Sequence, residues 1–90
     1  MNIQFYGAAW CGDCRRAKAY LDERGAKYDY IDIEQDPAAA DMVVSLTKGF
    51  RSIPTIVFPN GKVLIEPSNV ELEPLIAELE NNETIVKNNA

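Results

Sequence analysis

Apolar and polar residues along the chain switch between the two-residue alternation of strands and the three-to-four-residue spacing of helices. Residues 2–6 (NIQFY) are short, partly alternating and aromatic, which predicts a strand. Beyond them Cys14, Ala17 and Leu21 recur at helical spacing, and Gly25 stands where that helix would end. Residues 27–33 (KYDYIDI) alternate, with Asp29, Ile31 and Ile33 on one side and Tyr28, Tyr30 and Asp32 on the other. This predicts a second strand near a sheet edge. Asp36-Pro37 has the form of an N-cap followed by proline in the first helical position. Ala39, Met42, Val43 and Leu46 then form an apolar stripe that Gly49 can stop.

Residues 55–58 (TIVF) and Val63–Ile65 predict two strands flanking Pro59-Asn60-Gly61-Lys62. Asn-Gly signals a hairpin there, because both residues tolerate positive φ. Ser68 with Glu71 fits a capping box, and Leu72, Leu75, Ile76 and Leu79 carry a last helical stripe. Pro74 fits poorly. With Ser68 as the cap it falls in the second turn and costs a hydrogen bond, so a later start or an irregular first turn is expected. Residues 81–90 are polar apart from Ile85 and Val86 and read as a tail.

The resulting order, β-α-β-α-β-β-α, predicts an α/β fold. Parallel first strands joined by a right-handed helical crossover, then a hairpin, make a mixed four-stranded sheet with helices on both faces. Ninety residues hold one domain, 1–80, followed by the tail 81–90. A domain of this size buries only somewhat more than roughly 60% of its unfolded surface, so its stability margin is expected to be modest.

The net charge of −5 argues against a nucleic-acid partner, which calls for clustered Lys and Arg. No apolar run approaches the ~18 residues of a membrane span. The opening residues lack a basic region followed by a long apolar core, so no secretory signal is expected and a cytoplasmic location is the default. Charge is unevenly spread. Arg15, Arg16, Lys18, Arg24 and Lys27 cluster together, whereas from Val63 to Val86 there are six glutamates and no Lys or Arg. Either this is chance clustering on a solvated surface, or the basic segment favours a thiolate at the cysteines beside it.

Those cysteines, Cys11 and Cys14, are the only two in the chain and lie in WCGDCRR. A zinc site usually needs four ligands of Cys or His type, and the chain has no His. A structural disulfide closing so short a loop restricts little chain entropy, and it would be unusual in the cytosol. A redox pair explains more. At a helix N-terminus the Cys11 sulfur lies beside unpaired N–H groups and the positive end of the dipole, which stabilise the attacking thiolate. Cys14, one turn on and expected to be more buried, stays a thiol until it resolves the mixed disulfide. Gly12 suits a close backbone approach. Trp10 either shields the sulfur or is an ordinary core or rim aromatic.

Asp13 has two readings that can hold together. Its carboxylate opposes thiolate formation at Cys11, with Arg15 or Arg16 as a partial counter-charge, and it also favours helix initiation. Farther on, Arg51-Ser52-Ile53-Pro54-Thr55 (RSIPT) precedes a strand. Pro54 either marks the strand's start or forms a cis bond that turns neighbouring backbone groups toward an extended substrate.

With both elements in view, the chain resembles a glutaredoxin-like member of the thioredoxin superfamily over residues 3–79. The mycoredoxin-like branch is the nearest, on WCGDC, DIEQDPAAADMV, RSIPT and EPS. The resemblance implies a thioredoxin fold, Cys11 as nucleophile, Cys14 as resolving thiol and Pro54 in cis. It further implies that Ile53 backbone groups hold the non-reacting part of a low-molecular-weight thiol, with Trp10, Gly12, Asp13, Arg51 and Ser68 around that groove. No bound cofactor is expected; the small thiol is a co-substrate. The expected partners are disulfide-containing proteins, mixed disulfides with a small thiol, and an upstream thiol or disulfide reductase, with the chain a monomer. Two departures bear on the partner. Glu66-Pro67-Ser68-Asn69 stands where glutathione-using glutaredoxins usually have Gly-Gly, which weakens the case for glutathione. Position 13 is more often aromatic or apolar in these families. An alternative is a dimer bridging an iron–sulfur cluster or metal through Cys11, which a dithiol expected to face solvent disfavours. A redox-inactive adaptor on the same fold is a further rival.

Overall fold

The computed structural model describes the backbone of residues 2–89 and the side chains of residues 2–80. Its elements are β1 (Ile3–Gly7), α1 (Gly12–Glu23), β2 (Tyr28–Asp32), α2 (Pro37–Leu46), β3 (Thr55–Val57), β4 (Val63–Ile65) and α3 (Asn69–Asn89). The strands form one sheet in the order β2-β1-β3-β4. β1 and β2 run parallel, with Phe5 opposite Tyr30 and Gly7 opposite Asp32, because a helix returns the chain between them. β3 is antiparallel to both β1 and β4, with Ile56 opposite Phe5 and Leu64. The fold is α/β and thioredoxin-like, as expected.

Successive residues of β1 point to opposite faces and so feed two cores. Ile3 and Phe5 pack with Cys14, Ala17 and Leu21 of α1 and with Leu72, Leu75 and Ile76 of α3. On the other face Tyr6 packs with Ile33 and with Ala39 and Val43 of α2. Met42 departs from its expected place in the stripe and is 48% exposed. Among the described elements α2 is the one helix on that face, so the flank of its stripe has no neighbour to cover it.

The element ends obey local chemistry. Asp36 caps α2 by accepting the Ala39 N–H at 3.2 Å, with Pro37 in the first helical position. In the β3–β4 hairpin, Gly61 N–H donates to the Phe58 carbonyl and Phe58 N–H to that of Lys62, both at 2.9 Å. Gly61 takes positive φ and Asn60 does not, which makes a three-residue loop closed by a left-handed glycine rather than a turn with both residues at positive φ.

α3 begins at Asn69, so a later start is corrected. Glu71 N–H donates to Ser68 Oγ at 3.2 Å and Ser68 N–H to Glu71 Oε1 at 2.9 Å, completing the capping box. Pro74 lies inside the helix. The two cap bonds and burial of Leu72, Leu75 and Ile76 outweigh the lost bond to Val70, an exposed residue whose carbonyl water can serve. The α3 backbone continues to Asn89, and the side chains of the expected tail, 81–90, lie outside the described residues.

The charge blocks segregated along the chain meet in space. Arg24, at the end of α1, pairs with Glu73 and Glu80 of α3, and the Tyr20 hydroxyl donates to Glu73. These partly exposed pairs are worth about 0–1 kcal/mol each, so they orient α3 on α1 more than they hold it there. The apolar contacts carry the stability. Leu21 is fully buried beneath α1. Leu21→Ala is expected to lower the unfolding free energy by about 2–5 kcal/mol, read as a fall in the denaturant midpoint.

Candidate active site

β1 ends at Gly7, and a short loop carries the chain into α1. Cys11 N–H donates to the Ala8 carbonyl at 3.2 Å, and Arg15 braces the loop by donating to the Ala9 carbonyl through Nε (3.2 Å) and Nη2 (2.9 Å). Cys11 is the N-cap of α1, with extended backbone at φ −85° and ψ 112°. In that geometry its Sγ accepts the Cys14 N–H at 3.2 Å. A sulfur takes the place that a serine or aspartate oxygen usually occupies, and the dipole and amides of the first turn bear on it.

Both thiols are free. Cys14 is 1% exposed and Cys11 8%, so Cys14 is the deeper and Cys11 is more covered than a solvent-facing dithiol would be. Burial pushes the Cys14 thiol up from its ordinary 9.0 to about 12. Its hydrogen bond with Cys11 acts in the same direction, against a smaller opposing pull from the backbone at Ala8. The two sulfurs therefore differ by position alone: one caps a helix, the other is sealed beneath it.

Gly7, to which the sequence reading assigns no role, makes that burial possible. A Cβ there would meet Phe5 Cε1 and the Tyr30 hydroxyl at 3.0 Å and Cys14 Sγ at 3.1 Å, too close for any of them to stay in place. The available signal was a glycine at the end of a strand pattern, which marks a close approach.

Asp13, between the two cysteines, pairs with Arg16. Arg16 donates to Asp13 Oδ1 through Nη2 at 2.7 Å, to the Asn69 Oδ1 through Nη1 at 2.6 Å and to the Pro67 carbonyl at 2.6 Å. One guanidinium thus neutralises the carboxylate between the cysteines and ties α1 to the β4–α3 loop. The other basic residues of this segment are also engaged, Arg15 with the Ala9 carbonyl and Lys18 over the Tyr30 ring. Their charges brace the structure around the dithiol.

The remaining expected site residues fall into two groups flanking the α1 N-terminus. Trp10, Arg51 and Ile53 line one cavity with Ile33 and Glu34. Trp10 is 67% exposed, so it is a rim aromatic, and its indole N–H donates to Glu34 Oε1 at 3.2 Å. Ile53 packs against the core that contains both cysteines. Asp13 and Ser68 line a second cavity with Arg16, Glu66, Asn69 and Glu71. Gly12 opens α1 and is exposed. Pro54 is buried after a cis peptide bond, and its carbonyl accepts the Glu66 N–H at 2.7 Å, joining the RSIPT loop to the EPS loop.

Residues 3–64 match the family model described as Glutaredoxin. The chain belongs to the glutaredoxin family. It is 36% identical over 77 residues to a Mycobacterium tuberculosis protein provisionally named a glutaredoxin, covering 86% of this chain and 92% of that one. It is 35% identical over 71 residues to Mycoredoxin 1 of Corynebacterium glutamicum, covering 79% and 87%. The solved glutaredoxin of Archaeoglobus fulgidus superposes with a TM-score of 0.72 at 25% identity, over 83% of this chain and 85% of that one. Membership of this family makes the chain a thiol–disulfide oxidoreductase whose partners are disulfides or mixed disulfides with a thiol. No helix among the described residues is long and apolar enough to cross a membrane.

Two outcomes follow from the electrostatics of this glutaredoxin site. Asp13→Asn leaves Arg16 held by Pro67 and Asn69 but uncompensated near Cys11. Alkylation of Cys11 at neutral pH is expected to quicken roughly two- to fivefold, an effect that salt suppresses. The second outcome concerns stability. Because Cys14 ionises at higher pH folded than unfolded, its contribution is complete below pH 9.0 and is lost as pH rises toward about 12. Under reducing conditions, urea midpoints are expected to fall less steeply over that window for Cys14→Ala than for the parent chain.

Proposed function

We propose that this glutaredoxin-family chain works through a dithiol cycle on protein disulfides or mixed disulfides with a low-molecular-weight thiol. The observation that carries the reading is the Cys11 sulfur at the α1 N-cap, accepting the Cys14 N–H at 3.2 Å, above a Cys14 that is sealed from solvent. Cys11 attacks one sulfur of the substrate disulfide and displaces the other as a thiolate. Cys14 then attacks the Cys11 sulfur, expels the second thiol and leaves a Cys11–Cys14 disulfide. An upstream thiol or disulfide reductase returns that disulfide to the dithiol. In this reading the protein works as a monomer in the cytoplasm, with no bound cofactor. The iron–sulfur alternative draws no support from the family or its named relatives.

The groove beside Cys11 is proposed to hold the small thiol, with Ile53 backbone groups against its chain and Trp10, Gly12, Asp13, Arg51 and Ser68 around it. Glu34, Glu66 and Glu71 stand along the two flanking cavities. Glu66 holds φ at +49°, a conformation that glycine adopts more readily, so its carboxylate is kept at that place at some backbone cost. Carboxylates repel a thiol that is itself a carboxylate, which favours a neutral one. A Cys11→Ser chain is expected to lose turnover and a Cys14→Ser chain to accumulate the mixed disulfide, detected as added mass. Offered mixed disulfides of glutathione, mycothiol and bacillithiol, the parent chain is expected to turn over that of mycothiol fastest, since it alone lacks a carboxylate. Retained turnover in Cys11→Ser refutes the cycle, and a preference for glutathione refutes the groove assignment.

A further inference from the structure

Cys14 must lose its proton before it can resolve a mixed disulfide, yet among the described residues no base is seen beside it. The charged and titratable groups that bear on it from α1 are Cys11 and Asp13, and both disfavour its anion. β1 presents Phe5 and Gly7 to it, and α3 contributes Leu72, Leu75 and Ile76 to the same core. A further neighbour among the described residues is Tyr30 of β2, whose hydroxyl and the Cys14 sulfur both crowd the space over the Gly7 Cα, 3.0 and 3.1 Å from where a Cβ would sit.

Tyr30 is held for this position. Its ring lies 5.2 Å from that of Phe5, tilted by 34°, and the Lys18 ammonium sits 5.5 Å from its centroid. Tyr30 is 37% exposed, and among the described residues its hydroxyl makes no hydrogen bond, which leaves it free to turn toward the sulfur. Burial, and the negative charge that Cys14, Asp32 and Cys11 can carry, push its phenol above the ordinary range.

We propose that the Tyr30 hydroxyl donates a hydrogen bond to the Cys14 sulfur as its thiolate forms, and thereby speeds the resolving step alone. The inference rests on the dithiol cycle above. In that step the Cys14 proton passes to solvent, and Cys14 Sγ bonds to Cys11 Sγ. The bond from Cys11 to the substrate sulfur breaks, and its electron pair leaves on a substrate thiolate that takes a proton from solvent. Negative charge gathers first on Cys14, where the hydroxyl can reach it because Gly7 places no atom between them. Tyr30 takes no part in the opening attack by Cys11.

Tyr30→Phe tests this, since it keeps the ring against Phe5 and Lys18 and removes one oxygen. Reduced protein is mixed with a chromogenic aryl disulfide, dithiobisnitrobenzoate. The first equivalent of coloured thiolate reports attack by Cys11, and the second reports resolution by Cys14. In Tyr30→Phe the first phase is expected to keep its rate, while the second slows about tenfold and its pH midpoint moves upward, as loss of a hydrogen bond to a charged group requires. A second phase unchanged in rate and pH midpoint overturns the assignment. So does an equal slowing of both phases, which marks a packing role only. A parent chain that releases one equivalent and no second overturns the dithiol cycle itself, and this inference with it.

Discussion

The reactive end of the molecule depends on how closely α1 can approach β1 at Gly7. Where any side chain would stand, Gly7 leaves room for Cys14 Sγ, the Phe5 ring edge and the Tyr30 hydroxyl. That approach seats Cys14 in the core. Because Cys14 lies in the first turn of α1, seating it also orients the amide that Cys11 Sγ accepts. The two cysteines are therefore not independent groups at a convenient spacing. One backbone contact with the central strand determines the depth of the second and the helix-capping geometry of the first.

From that contact the electrostatics follow. A buried thiol resists ionising because its anion would lose hydration, and burial is the largest cause acting on Cys14. Cys11 Sγ sits instead at the N-cap, with the Cys14 N–H donated to it and the first turn of α1 behind it. The nearby cations take up other work, Arg15 steadying the loop before Cys11 and Arg16 joining Asp13 to Pro67 and Asn69. Arg16 makes the residue between the cysteines and the loop that opens α3 a single braced unit. The stability margin of so small a domain comes mainly from the apolar layers on either side of β1, with surface ion pairs fixing orientation.

Much of the architecture could be read from spacing. The two faces of β2, the Asp36-Pro37 start of α2 and the Ser68–Glu71 box all involve residues a few positions apart, where local geometry decides. Met42 and Pro74 could not be read in the same way. Whether a stripe residue is covered depends on how many helices share its sheet face, and α2 has that face to itself among the described elements. Whether a proline is tolerated depends on how strongly the rest of the helix is held, and α3 has both its cap bonds and a buried apolar side. The cysteine pair and RSIPT were legible as chemistry, and Arg16 as a nearby charge. Its reach to residues 67 and 69 was not.

By itself, the sequence determined the order of elements, the residue types of the dithiol and the family to which the chain belongs, because these rest on local spacing and short motifs. Tertiary structure alone decided which charges meet, how deeply each sulfur sits and what lies beside Cys14. Those depend on distances between residues far apart in the chain. Gly7, Tyr30 and Cys14 come from three different elements, and only the packing of α1 across a parallel pair of strands brings them to one point.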